Sequence, residues 1–148
     1  MKAVLQRVSH ASVSVAGEVR GEIGAGLLVL VGVTHTDTEQ DARWLAGKVA
    51  GLRVLRDGDR DESSAASIGA PALVISQFTL YADTSSGRRP SWQAAAPADQ
   101  AEPLVTAFCA ELRALGLPVA TGEFGATMAV RSVNDGPLTI LLQTPDRR

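Results

Sequence analysis

Residues 3–15, AVLQRVSHASVSV, are rich in β-branched side chains, and Val13 and Val15 alternate with Ser12 and Ser14. Successive strand residues point to opposite faces, so this alternation predicts a half-buried strand. AGEVRGEIGAG (16–26) predicts a second strand between glycine turns, and the unbroken apolar run LLVLVGV (27–33) a third, covered on both faces. The period then changes. In THTDTEQDARWLAGKVAGL, Thr36 and Glu39 have the S/T-x-x-E spacing of a capping box, and Ala42, Leu45, Ala46 and Val49 recur at helical spacing. A helix over 37–50 is predicted, with Trp44 at the edge of its buried stripe.

A short strand LRVL (52–55) precedes the polar, breaker-rich segment 56–71, which reads as a surface loop. ALVISQFTL (72–80) reads as a buried strand that carries Ser76, Gln77 and Thr79 inside it. A second amphipathic helix over 98–116 presents Leu104, Phe108, Leu112 and Leu115, with Asp99 as its cap, Pro103 in its first turn and Gly116 as its stop. PVAT (118–121) begins the closing strands. ATMAVRSV and PLTILLQT follow and flank the opening segment. Between these last two runs lie Asn134, Asp135, Gly136 and Pro137, four strong turn formers in a row. The pattern predicts an α/β fold, a single domain over 1–148 of mixed, largely antiparallel β-sheets, with two main helices packed on one side.

A chain of 148 residues buries enough surface to need no metal or disulfide staple, and its one cysteine, Cys109, sits in a helical pattern that suits a core thiol. No apolar run approaches the roughly 18 residues of a membrane span. The opening residues lack the continuous apolar stretch of a signal peptide, so a cytoplasmic protein is expected. The formal charge of -2 leaves no global attraction to a polyanion. Local attraction is another matter: Arg88 and Arg89 stand in the loop SGRRP, suited either to gripping phosphate or to plain solvation, and Arg147 and Arg148 end the chain.

Standard catalytic signatures are absent. The acidic run Asp57, Asp59, Asp61 fails the calcium-loop template, whose sixth and twelfth positions are here Glu62 and Ile68. GEIGAG (21–26) has the wrong glycine order for a dinucleotide site, and Ser76 lies in VISQF rather than in a nucleophile elbow. No metal-ligand spacing occurs, so neither metal nor cofactor is expected. What remains is Ser76, Gln77 and Thr79, polar residues in an apolar strand. Phe78 between them would point to the opposite face unless the strand ends there and the backbone turns.

SQFTLYAD (76–83) followed by GRRPSW (87–92), with VNDGPLT near the C-terminus, QRVSHASVSV and GEIGAGLLVLVGV at the start, and TGEFGATM (121–128), resembles the D-aminoacyl-tRNA deacylases. The resemblance spans about residues 1–142. It implies the barrel-like fold of that family and a homodimer with its active sites at the interface. The substrate would be a D-amino acid, or mischarged glycine, esterified to the 3′-terminal adenosine of tRNA. In this family the Gly-Pro peptide, here Gly136-Pro137, is cis and enters the partner's pocket, where its carbonyls hold the substrate's amino group and exclude an L side chain; Arg7 would brace it. Ser76, Gln77, Phe78 and Thr79 match the other wall, with Phe78 seating the adenine and backbone amides stabilising the oxyanion, while Met128 and Gly125 line the pocket. Thr79 has no local base, which favours attack by water assisted by the tRNA's 2′-hydroxyl.

Two departures stand out. Segment 59–71 lacks a GKMNLS-like stretch common in the family, and Trp92 replaces a common phenylalanine. The alternatives are a non-catalytic nucleic-acid-binding dimer and a small-molecule esterase built on Ser76.

Overall fold

The computed structural model describes residues 1–146, and the side chains of all of these except 60 and 61. The C-terminal arginines 147 and 148 lie outside the described residues. Strand β1 (Lys2–Val15) is the spine. Along one edge it pairs antiparallel with β3 (Gly26–Gly32) over its first half and with β2 (Glu18–Ile23) over its second. Its other edge belongs to β8 (Ala129–Gln143). Beyond β3, β6 (Ala72–Ser76) and β7 (Val119–Thr121) are added in parallel, giving the order β2-β1-β3-β6-β7 with β8 on the outer edge of β1.

The sheet curls into a nearly closed barrel. Gly21 of β2 comes so near β7 that a Cβ there would lie 2.7 Å from the Thr121 carbonyl oxygen. Only glycine lets the two backbones approach like this. Val8, Ala11, Val13, Ile23, Leu28, Leu73 and Ile75 form one apolar cluster among these strands. The other face of β1, β3 and β6 packs on helices α1 (Glu39–Gly51) and α3 (Ala98–Ala114), through Leu45, Val49, Phe108 and Leu112, all fully buried. Burying such side chains contributes roughly 1.5–3 kcal/mol each.

Several boundaries differ from the sequence reading. The cap of α1 is Thr38 with Asp41, two residues later than expected: the Asp41 carboxylate accepts from Thr38 N at 2.8 Å. Residues 34–37 are held in their own turn instead, because the Asp37 carboxylate accepts from Thr34 N at 2.7 Å and from the Met1 ammonium at 2.5 Å. The buried stripe of α1 is as predicted, with Trp44 packed at its margin. Pro97, not Asp99, is the N-cap of α3, and Pro103 lies inside the helix beyond its first turn. Leu115 is exposed where α3 ends, and Gly116 at φ +98° turns the chain away.

The supposed loop 56–71 is structured. Gly58-Asp59 turns β4 (Arg53–Asp57) back onto β5 (Arg60–Ser64), with Gly58 at φ +61°. Ser64 then caps the short helix α2 (Ala65–Ile68) by accepting from Ser67 N, and Gly69 closes it in the left-handed region. Polar composition hid this hairpin, whose two-residue Gly-Asp turn was the available signal.

Candidate active site

β6 ends earlier than the sequence suggests. Gln77 N donates to the Val31 carbonyl at 2.7 Å as the last rung shared with β3, and Phe78–Tyr81 then form a 3-10 turn. Gly32 makes room for that turn: a Cβ at 32 would sit 3.0 Å from both the Gln77 carbonyl oxygen and Leu80 Cβ. The turn swings Phe78 onto the side of Ser76 and Gln77. All three line one cavity of about 360 Å³, together with Met128 and Gly125.

Its remaining wall was not legible in the sequence. Phe124 and the small or branched residues Ala98, Ala101 and Val105 of α3 complete it. The alanine-rich stretch 94–98 was the only hint, since short side chains leave space between helix and sheet. Among the described residues no histidine or carboxylate lines this cavity. A more polar recess of about 250 Å³ shares Ser76, Val105, Phe124 and Met128 with it and adds Glu102 and Arg113.

Thr79 does not itself line the cavity but is bonded to a residue that does. Its Oγ1 accepts a hydrogen bond from Gln77 Nε2 at 2.6 Å. An amide donor cannot remove a proton, so nothing in the described contacts activates this hydroxyl. Around the 3-10 turn Leu80 N donates to Gln77 O and Ala82 N to Thr79 O, while the amides of Phe78 and Thr79, at the start of the turn, have no backbone acceptor among the described residues. Tyr81 closes the turn under Lys2, whose Nζ lies 4.7 Å from the ring centroid. Burial, then the nearby Asp37 and Asp41 charges, push the Tyr81 phenol far above its ordinary range and keep it neutral.

The second constellation lies elsewhere. Residues 133–140 do not form a hairpin; both halves of β8 pair with the same strand, and the register slips twice, between Gln6 and Val8 and between Val8 and His10. Asp135, Gly136, Pro137 and Leu138 have no register partner and bulge out opposite Arg7. The Gly136-Pro137 peptide is cis. Arg7, itself buried, donates from Nε to the Asp135 carbonyl at 2.8 Å and from Nη1 to the Val54 carbonyl at 3.0 Å. Arg56 adds a 3.0 Å ion pair with the Asp135 carboxylate, and Asn134 Oδ1 accepts from Leu138 N at 2.9 Å.

Gly136 is at φ +150°, and a Cβ there would lie 2.9 Å from Leu138 N and 3.0 Å from Arg7 Nη2. Only glycine suits this position. Gly136 and Pro137 are exposed, and neither lines the cavity that holds Ser76, Gln77 and Phe78. Arg88 and Arg89 lie on an exposed loop, line neither cavity, and make no ion pair among the described residues.

This arrangement has relatives. The sequence profile described as D-Tyr-tRNA(Tyr) deacylase matches residues 4–143. The chain belongs to the D-aminoacyl-tRNA deacylase family. D-aminoacyl-tRNA deacylase of Kineococcus radiotolerans is 60% identical over 96% of this chain and 99% of its own length, and that of Chloroflexus aurantiacus is 56% identical over 100% and 93%. Among solved structures, the c-Myc DNA Unwinding Element Binding Protein superposes with a TM-score of 0.91 at 39% identity, covering 99% of this chain and 100% of that one. A probable eukaryotic D-amino acid tRNA deacylase shares the fold, with a TM-score of 0.84 at 16% identity over 95% of this chain and 97% of that one. The deacylase family is one of hydrolases, its substrate class is aminoacyl-tRNA, and its members' activity is that of this chain. No helix among the described residues is long and apolar enough to cross a membrane.

Proposed function

We propose that the chain, acting as one domain per subunit of a homodimer, hydrolyses the ester of D-aminoacyl-tRNA and of glycine mischarged on tRNA-Ala, with the Gly136-Pro137 backbone of one subunit serving as the chirality gate of the other. The observation that carries this reading is the Arg7-braced bulge, whose exposed main chain is fixed in place yet lines neither of the two cavities that share Ser76. A long outer edge supports the dimer. Among the described residues β8 has no strand on its far side, and Val133 and Leu141 are 58% and 77% exposed along it. An unpaired apolar edge of this length invites pairing with a second copy.

In the assembled site the apolar cavity takes the terminal adenine, with Phe78 against the base. The substrate ammonium donates to the carbonyl oxygens of the partner's Gly136 and the partner's Pro137. Carbonyls read the ammonium whatever the side chain is, so the gate tests handedness by sterics alone. A D side chain points away, an L side chain collides with the gate, and glycine passes because it has none.

A water oxygen attacks the ester carbonyl, and the free amides of Phe78 and Thr79 donate to the oxygen that becomes negative. The tetrahedral intermediate expels the ribose oxygen, which takes up a proton, with the adjacent 2′-hydroxyl assisting the transfer. Free amino acid and tRNA are the products. Ser76, Gln77 and Thr79 shape the wall, Met128 and Gly125 complete the pocket, and Arg88 and Arg89 meet backbone phosphates.

The test compares deacylation of D-Tyr-tRNA and L-Tyr-tRNA. Rapid loss of the D ester with the L ester untouched is expected. Equal rates, or an intact D ester, would refute the reading.

A further inference from the structure

Phe78 and Trp92 form an edge-on aromatic pair, with ring centroids 5.4 Å apart and planes at 76°. Phe78 lines the cavity and Trp92 does not. Both keep much of their ring surface in solvent, 56% for Phe78 and 42% for Trp92. Two adjacent exposed aromatic rings leave apolar surface uncovered, and such a patch marks a binding surface more often than chance.

The loop that carries Trp92 is fixed at its base. Asp83 and Ser91 exchange backbone hydrogen bonds at 2.9 and 2.8 Å, Thr34 Oγ1 donates to the Ala94 carbonyl at 2.6 Å, and Ala96 N donates to the Val33 carbonyl at 2.9 Å. The Ser85 side chain, and then Ser85 N, which donates to Asp83 Oδ1 at 2.9 Å, hold the Asp83 carboxyl below its usual range. Between the anchors the tip of the loop presents Arg88 and Arg89, both exposed and without ion pairs among the described residues. An anchored loop that carries an exposed indole and, a few residues before it, two guanidinium groups without ion pairs among the described residues matches single-stranded nucleic acid, in which stacking bases alternate with phosphates.

We propose that Trp92 is the stacking platform for the base next to the terminal adenosine of tRNA, and that it extends the aromatic wall begun by Phe78 out of the cavity. This rests on the reading above, in which Phe78 seats the terminal adenine. Trp92 is then a positioning residue, since it holds the nucleotide chain and leaves the reacting ester to the other groups. Its indole offers a larger stacking face than phenylalanine, and stacking tolerates any base because every base has a π-face.

The test varies substrate length. Wild-type protein and Trp92→Ala, Trp92→Phe variants are assayed on D-Tyr-tRNA and on 3′-D-tyrosyl-adenosine, which lacks the penultimate nucleotide. Trp92→Ala is expected to raise KM for the tRNA by about tenfold or more, with kcat changed far less, and to affect the adenosine ester by less than about threefold. Trp92→Phe recovers most of the loss. Equal losses on both esters, no loss on the tRNA, or a dimer that dissociates more readily in Trp92→Ala by sedimentation, each overturns the proposal by making Trp92 a support for Phe78, a bystander or a subunit contact. If wild-type protein cleaves neither D ester, the functional reading itself has failed, an outcome distinct from the other three.

Discussion

Arg7 Nε and the Asp135 carbonyl oxygen are joined by a 2.8 Å hydrogen bond that spans from the middle of β1 to the summit of the β8 bulge. The same guanidinium reaches the Val54 carbonyl at 3.0 Å, so one buried side chain ties the bulge to β4. A planar fork of donors can satisfy two carbonyls at once, and an ammonium on a flexible stem cannot hold the same geometry. Arg7→Lys is therefore expected to lower stability by about 1–3 kcal/mol, the cost of leaving a partly buried acceptor unsatisfied. Deacylation of the D ester should fall at least about tenfold, because the bulge loses its position. Urea unfolding and initial rates on the same preparation check both, and wild-type values for both would contradict the brace.

Thr79→Val tests the identity of the nucleophile. The Thr79 hydroxyl accepts from Gln77 and bonds no base among the described residues. If water attacks, removing the hydroxyl leaves kcat within about tenfold of wild type, whereas a threonine nucleophile predicts a loss of about a thousandfold or more. A stability cost of about 1 kcal/mol accompanies the change, since the Gln77 amide loses its partner. Single-turnover rates of D-Tyr-tRNA deacylation separate the two mechanisms.

Much of this was readable from local patterns, and the misses share one cause. Ala42, Leu45, Ala46 and Val49 announce the buried face of α1 because helix period is a property of neighbouring residues. Ser76, Gln77 and Phe78 are likewise adjacent in sequence, so the cavity's central wall could be named before its shape was known. Phe124 and Val105 reach the same cavity from distant segments, and nothing local marks them. Asn134 to Pro137 have hairpin chemistry, yet both flanks of β8 pair with β1, since the long partner strand overrides the local turn preference. Register against a strand more than a hundred residues away cannot be read from eight residues.

Cys109 is nearly inaccessible, and burial pushes its thiol up to about 11, against a smaller lowering by Arg113. At pH 8 only about a thousandth of it is thiolate, the form that reacts. Thiol reagents should label it slowly in native protein and at once in denaturant. The same shift sets a pH dependence. Between about 9 and about 11 the unfolded chain has released a proton that the native state still holds, so stability falls as pH rises through that window. Cys109→Ala should lose less stability than wild type between pH 9 and pH 11 in parallel chemical denaturations; identical slopes would contradict the burial argument.

If handedness is filtered by a neighbour's main chain, as proposed, each active site is a composite of two subunits, and mixed dimers test that directly. Gly136→Ala places a Cβ 2.9 Å from Leu138 N and should disable the gate, while Phe78→Ala should disable the cavity, so each homodimer loses D-Tyr-tRNA deacylation by about a hundredfold. A purified heterodimer of the two variants contains one site with both parts intact and should recover about half of wild-type activity, still with no cleavage of L-Tyr-tRNA. A heterodimer as inactive as its parents would mean that gate and cavity act within one subunit, and would contradict the account.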